Sequence, residues 1–143
     1  MIFSLQQLLS NQQAITATAV SENVIDLGVT GTPYGAAAAL HGDKGPGNKV
    51  PFVAQVTEDF NNLTSVKVAI ETGSTTSLGT EIASETILLA DLVAGKQVAF
   101  DVLPNNIKER YLGVRYTVVG IAPTTGKFMT GITMGNQTNV TGA

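Results

Sequence analysis

At 143 residues, with 13% charged side chains and a formal net charge of −3, the chain is poor in charge, since ordinary soluble domains carry roughly 25%. Its eight Lys and Arg residues are scattered, which argues against a phosphate-backbone binder and hence against a direct nucleic-acid partner. The absence of cysteine excludes disulfide staples, thiolate nucleophiles and thiolate zinc sites.

The length fits one domain, residues 1–143, able to bury roughly two-thirds of the surface its unfolded chain would expose. Thr, Asn, Gln and Ser supply most of the polarity. An exterior of this kind suits contact with other protein, because interface centres are depleted of charge; a plain Thr-rich sheet surface accounts for it equally. No Lys or Arg precedes Lys44, so the N-terminus lacks the positive region of a secretory signal. No apolar run approaches the about 20 residues that span a bilayer, and a soluble protein without a membrane partner is expected. Asn-x-Thr triplets begin at Asn62, Asn136 and Asn139, as chance provides in so Thr-rich a chain.

Residues 1–13 form an apolar arm: Ile2, Phe3, Leu5, Leu8 and Leu9 sit among Ser4, Gln6, Gln7 and Ser10. Leu5, Leu8 and Leu9 have the i, i+3, i+4 spacing of one helical face, which predicts a single short helix needing something to pack on. Either it caps its own core or it lies on a neighbouring subunit. Eight short strands follow, at about 14–20, 23–27, 51–57, 65–71, 82–89, 97–102, 111–120 and 128–134. Phe52, Ala54 and Val56 alternate with Gln55 and Thr57, and Val66, Val68 and Ile70 with Ser65, Lys67 and Glu71, so each strand buries one face.

Between the second and third strands lies a Gly-rich segment, residues 28–50, far longer than the usual loop of about four to six residues. It carries Tyr34, Leu40 and His41. Residues 90–95 break the alternation and predict one helical turn closed by Gly95, with Asp91 as cap. In the strand at 111–120, Leu112, Val114, Tyr116 and Val118 point one way and Gly113, Arg115 and Thr117 the other. Pro123-Thr124-Thr125-Gly126 then predicts a tight turn into a hairpin with the last strand. Eight strands and no long helical pattern favour an all-β antiparallel sandwich of the eight-stranded jelly-roll kind.

Chemistry is sparse. A triad needs an imidazole beside its nucleophile, and the single histidine is His41. His41 with Asp43 falls short of the three or four ligands of a zinc or iron site. Gly120 to Gly126-Lys127 has five intervening residues where a phosphate loop needs four, with Phe128 in place of the magnesium-binding hydroxyl. Gly42 to Gly47 has the wrong glycine order for a dinucleotide fingerprint. Glu58, Asp59, Glu81 and Glu85 could approach one another as glycosidase carboxylates, but surface acids are the simpler account. No catalytic residue, cofactor or metal is expected.

Several segments in their order along the chain carry a resemblance: Met1-Ile2-Phe3-Ser4, the stretch at 13–19, Asn23 to Gly28, Phe60 to Ser65, Leu89 to Gly95, Glu109 to Leu112, and Ala122 to Lys127. In these the chain resembles the small cement, or decoration, proteins on capsids of tailed bacteriophages, in particular the jelly-roll type of a Bordetella podophage. The resemblance implies a structural virion protein, made in the host bacterial cytoplasm. It would bind the outer surface of an assembled shell, bridging neighbouring copies of the major capsid protein. It also implies self-association, as a homodimer or homotrimer at a capsid symmetry axis. The family has no catalytic motif to carry over. Ile2, Phe3, Leu5, Leu8 and Leu9 of the arm, with Tyr34, Leu40 and His41 of the loop, are the expected capsid or oligomer contacts, being apolar or interactive groups outside any strand. The alternative is a virion jelly roll of a tail or fibre that binds a receptor or glycan, which needs clustered aromatics and acids.

Overall fold

The computed structural model describes residues 2–40, 42, 47, 49–98, 100, 103–105 and 107–135. Nine strands appear among them: β1 Phe3–Ala14, β2 Ala19–Val20, β3 Ile25–Asp26, β4 Phe52–Glu58, β5 Leu63–Gly73, β6 Thr80–Leu88, β7 Gln97–Val98, β8 Tyr111–Gly120 and β9 Lys127–Thr133. They form two antiparallel sheets, β1-β9-β4-β7 and β2-β8-β5-β6, with β3 also on β8. The pairing is nested: β1 with β9, β2 and β3 with β8, β4 with β7, β5 with β6. That is a jelly-roll winding. β2 meets Tyr116 and Arg115 while β3 meets Leu112 and Tyr111, so the strands expected separately at 14–20 and 23–27 are segments of one broken strand, and β1 is a strand the alternation did not predict.

Alternation builds the core. Phe52, Ala54 and Val56 of β4, Val66, Val68 and Ile70 of β5, and Leu112, Val114 and Tyr116 of β8 are buried together with Leu9, Ile15 and Phe128. A polar network spans the same interior. Tyr116 Oη donates to Thr130 Oγ1 (2.7 Å) and lies 2.9 Å from Ser10 Oγ, which bonds Gln13 Oε1. Gln13 in turn accepts from Glu22 N–H and donates to the Val20 carbonyl. Buried hydroxyls and amides need such partners, because leaving one unpaired costs about 1–3 kcal/mol.

Four local expectations are corrected. The arm is no helix: it is β1, the longest strand, paired with β9. The helical spacing misleads because register shifts between Phe3, Leu8, Ser10 and Gln13 put two adjacent leucines under cover on opposite faces. Leu9 enters the core. Leu8 is in register with Gly131 and through it with Val53, on the other face of the sheet. A Cβ on Gly131 would lie 2.9 Å from the Gln7 carbonyl oxygen, so glycine admits this bulge.

The expected hairpin of the last two strands is also absent, since β8 and β9 belong to different sheets. The turn is fastened to the β4–β5 connection instead. Asn61 Oδ1 accepts the N–H groups of Thr124 (2.8 Å) and Thr125 (3.2 Å), and Gly126, at φ +127°, packs against the Phe60 ring. The chain is thereby carried from one sheet to the other. The strand expected at 14–20 shortens to Ala19–Val20 because Ala14 closes β1. Finally, the expected helical turn is a 3-10 turn, Leu89–Asp91, without a side-chain cap. Asp91 faces Lys96 instead, at 3.8 Å. Gly95 does close the segment at φ +92°. Of the strand expected at 97–102, Ala99, Asp101 and Val102 lie outside the described residues.

Candidate functional site

β1 stands at the end of its sheet, so one of its sides has no strand partner among the described residues. That side is unequal along its length. Near Leu9 the β2–β3 connection covers it: Asn23 N–H donates to the Leu9 carbonyl (2.9 Å), Asn23 Nδ2 to the Leu8 carbonyl (3.3 Å), and Asn11 N–H to Glu22 Oε2 (3.4 Å). Toward Phe3 no such cap occurs among the described residues. There Ile2 (65% exposed), Leu5 (85%) and Met134 (82%) present apolar side chains to solvent. Met134 N–H donates to the Ile2 carbonyl at 3.3 Å, so these two residues share the end of the sheet. Phe3, in register with Thr133, is half-buried.

The expected contact residues therefore divide. Ile2, Phe3 and Leu5 gather at the start of β1. Leu8 and Leu9 are buried, 8% and 1% exposed, and are closed to a partner while the fold holds. Tyr34 and Leu40 are exposed on the separate connection between β3 and β4, where Gly31 and Leu40 form an isolated antiparallel bridge. His41 and Asp43 lie outside the described residues. Met134 escapes notice in the sequence because only strand pairing sets it beside Ile2. The usable signal was the charge pattern, since no Asp, Glu, Lys or Arg occurs before Glu22.

At the foot of the long connection Arg110 forms a two-pronged ion pair with Asp26 (2.8 and 2.7 Å) and lies over the Tyr111 ring, 4.9 Å from its centroid. The guanidinium first, and the Gly28 N–H second, lower the Asp26 pKa to about 2. A shallow cleft beside the pair is lined by Gly28, Val29, Thr30, Gly42, Lys108 and Arg110. The four acids considered for glycosidic chemistry are dispersed. Glu58 of β4 pairs with Lys127 of β9 in one sheet and Asp59 accepts the Ala94 N–H at 2.6 Å, whereas Glu81 and Glu85 are on β6 in the other sheet, Glu81 paired with Lys67 of β5. Tyr116 is in the core, so the three tyrosines do not line one surface. Among the described residues no three His, Cys, Asp or Glu side chains cluster to hold a metal ion, and no helix is long and apolar enough to cross a membrane.

The Bbp16 family model matches residues 9–132. The chain belongs to the Bbp16 family. The family bears the name of a Bordetella phage protein, and membership makes this a phage structural protein associated with the virion. No curated protein matches the sequence. The Bbp16 match takes in every strand of the sandwich except the start of β1 and the last residue of β9. Ile2, Phe3, Leu5 and Met134 fall outside it.

Proposed function

We propose that this Bbp16-family chain is a capsid cement protein, a structural component without catalytic activity. It binds the outer surface of an assembled phage shell and bridges neighbouring major-capsid subunits, self-associating as a dimer or trimer at a symmetry axis. The observation that carries the proposal is the family match over residues 9–132. The low charge of the chain and the exposed apolar group at the start of β1 agree with it, since interface centres are depleted of charge. The physical principle is linkage: a ligand of the closed shell alone stabilises that form by RT ln(1 + [L]/Kd) at every site. Many copies sum weak contacts, and each further contact by one oligomer is intramolecular after the first.

Particles prepared with and without the protein, compared by electron microscopy and by resistance to heat and osmotic shock, test this. Density outside the shell between capsomers, together with a lower disruption temperature of the bare particles, is expected. Equal resistance of bare and decorated particles would remove the stabilising role, and density on a tail or fibre would replace the location.

A further inference from the structure

We infer that the uncapped side of β1, around Phe3 to Gln7, receives an extended, uncharged strand of the shell protein, which joins the β1-β9-β4-β7 sheet as a further member. The inference rests on the proposed cement role and specifies how the contact is made. Because Met134 N–H donates to the Ile2 carbonyl, alternation along the strand turns the Phe3 N–H and carbonyl away from β9, toward the open side. Those groups are the template that strand addition uses, with main-chain bonds supplying affinity and alternate side chains supplying selectivity.

Folded proteins usually blunt such an edge with charge or proline, and β6, the end strand of the other sheet, conforms with Glu81 and Glu85. β1 does not: no charged side chain precedes Glu22 and no proline precedes Pro33. Its neutrality also selects the occupant. A charged side chain brought against the exposed Ile2, Leu5 or Met134 would lose water and meet no oppositely charged side chain of β1, at a cost that an uncharged strand avoids. A second copy fits less well, because two-fold pairing of this edge would set the register shift between Phe3 and Leu8 against its own equivalent. The β2–β3 cap at Leu8, Leu9 and Asn11 limits the added strand to a few residues.

The test uses the full chain, particles stripped of it, and the variants Leu5→Lys and Thr76→Lys, the second on the exposed β5–β6 connection. Circular dichroism melts establish that all are folded. In cosedimentation, Leu5→Lys should bind at least about tenfold more weakly than the natural chain, and Thr76→Lys equally well. In hydrogen exchange, the Phe3 amide should gain protection on the particle. Natural protein that fails to bind particles would overturn the cement role itself. If it binds and Leu5→Lys binds equally, or the Phe3 amide stays unprotected, strand addition is wrong and the cement role stands. If Leu5→Lys changes only the mass of the free protein in light scattering, the edge joins copies of this chain and the inference is likewise overturned.

Discussion

The Tyr116 ring of β8 is stacked on the Phe128 ring of β9, centroids 4.9 Å apart and planes inclined by 16°, although the two strands belong to different sheets. Beyond the ring, the Tyr116 hydroxyl reaches Ser10 on β1 and Thr130 on β9. One side chain thus joins the sheets by both dispersion and hydrogen bonding. Tyr116→Phe should cost about 1–3 kcal/mol, because it takes the hydrogen-bond partner from the fully buried Thr130 hydroxyl, whereas Ser10 keeps its bond to Gln13. Phe128→Ala should cost about 3–5 kcal/mol through the cavity it leaves. Urea unfolding measures both. A Tyr116→Phe protein as stable as the natural one would show that the network is dispensable.

The same burial predicts alkaline sensitivity. Loss of water pushes the Tyr116 pKa up to about 12, against the downward pull of its hydrogen bonds with Ser10 and Thr130. In the unfolded chain a tyrosine ionises near pH 10. A group whose folded pKa is the higher stabilises fully below its unfolded pKa, and that contribution disappears as pH rises from about 10 to about 12. Denaturation midpoints should therefore fall across this window, and the fall should be smaller in Tyr116→Phe. Identical alkaline profiles for the two proteins would refute the assignment.

On the acid side the signs reverse. Arg110 and the Gly28 N–H hold Asp26 at a pKa of about 2, while Lys127 lowers Glu58 and Lys67 lowers Glu81. A carboxyl lowered in the folded state stabilises above its unfolded pKa, and for Asp26 this is lost as pH falls from about 4 through about 2. All three pairs are open to solvent, so salt should flatten the effect. NMR titration of the Asp26 carboxyl is the direct measurement, and a midpoint near 4 would contradict the pairing.

Gly126 offers a sharper mutational contrast. A methyl group there would lie 2.3 Å from the Phe60 ring, on a backbone at φ +127°, whereas Gly135 has open space around its Cα. Gly126→Ala should destabilise by more than about 1 kcal/mol, and Gly135→Ala by no more than about 0.5 kcal/mol. Thermal melts of the two variants decide it. Equal melting temperatures would mean that the turn yields without cost.

What the sequence revealed and what it hid have a common cause. Period-two alternation placed β4, β5 and β8 within a few residues of their ends, because each has one face in the core and side chains report that directly. Pairing between distant strands leaves no such trace. Pro123 to Gly126 looks like a hairpin turn because its residues have the right local dihedrals, and only Asn61 and Phe60, some 60 residues earlier in the chain, decide that it leads to the other sheet. β1 reads as a helix because its bulges break the alternation and leave Leu5, Leu8 and Leu9 at helical spacing. Of the candidate surface, Ile2, Phe3 and Leu5 are visible as apolar residues outside any expected strand, while Met134 depends on a pairing that no local pattern encodes.

That β1 is part of the sandwich changes what shortening the N-terminus should do. Leu9 is almost wholly buried among the core residues, and Leu8 covers Gly131 on the opposite face. A leucine so placed costs about 2–5 kcal/mol when cut to alanine, and folded domains have only about 5–15 kcal/mol in all. Leu9→Ala should therefore lower the urea midpoint strongly, while Leu5→Ala, on the exposed side, should change it by no more than about 0.5 kcal/mol. Deleting residues 2–9 removes the core leucine and much of the β1–β9 ladder together, so the truncated chain should lose its cooperative melt as well as its partners. An N-terminal arm merely laid over the surface would behave otherwise: deletion would leave the β circular-dichroism signal and the melting temperature where they were. That outcome would detach β1 from the fold.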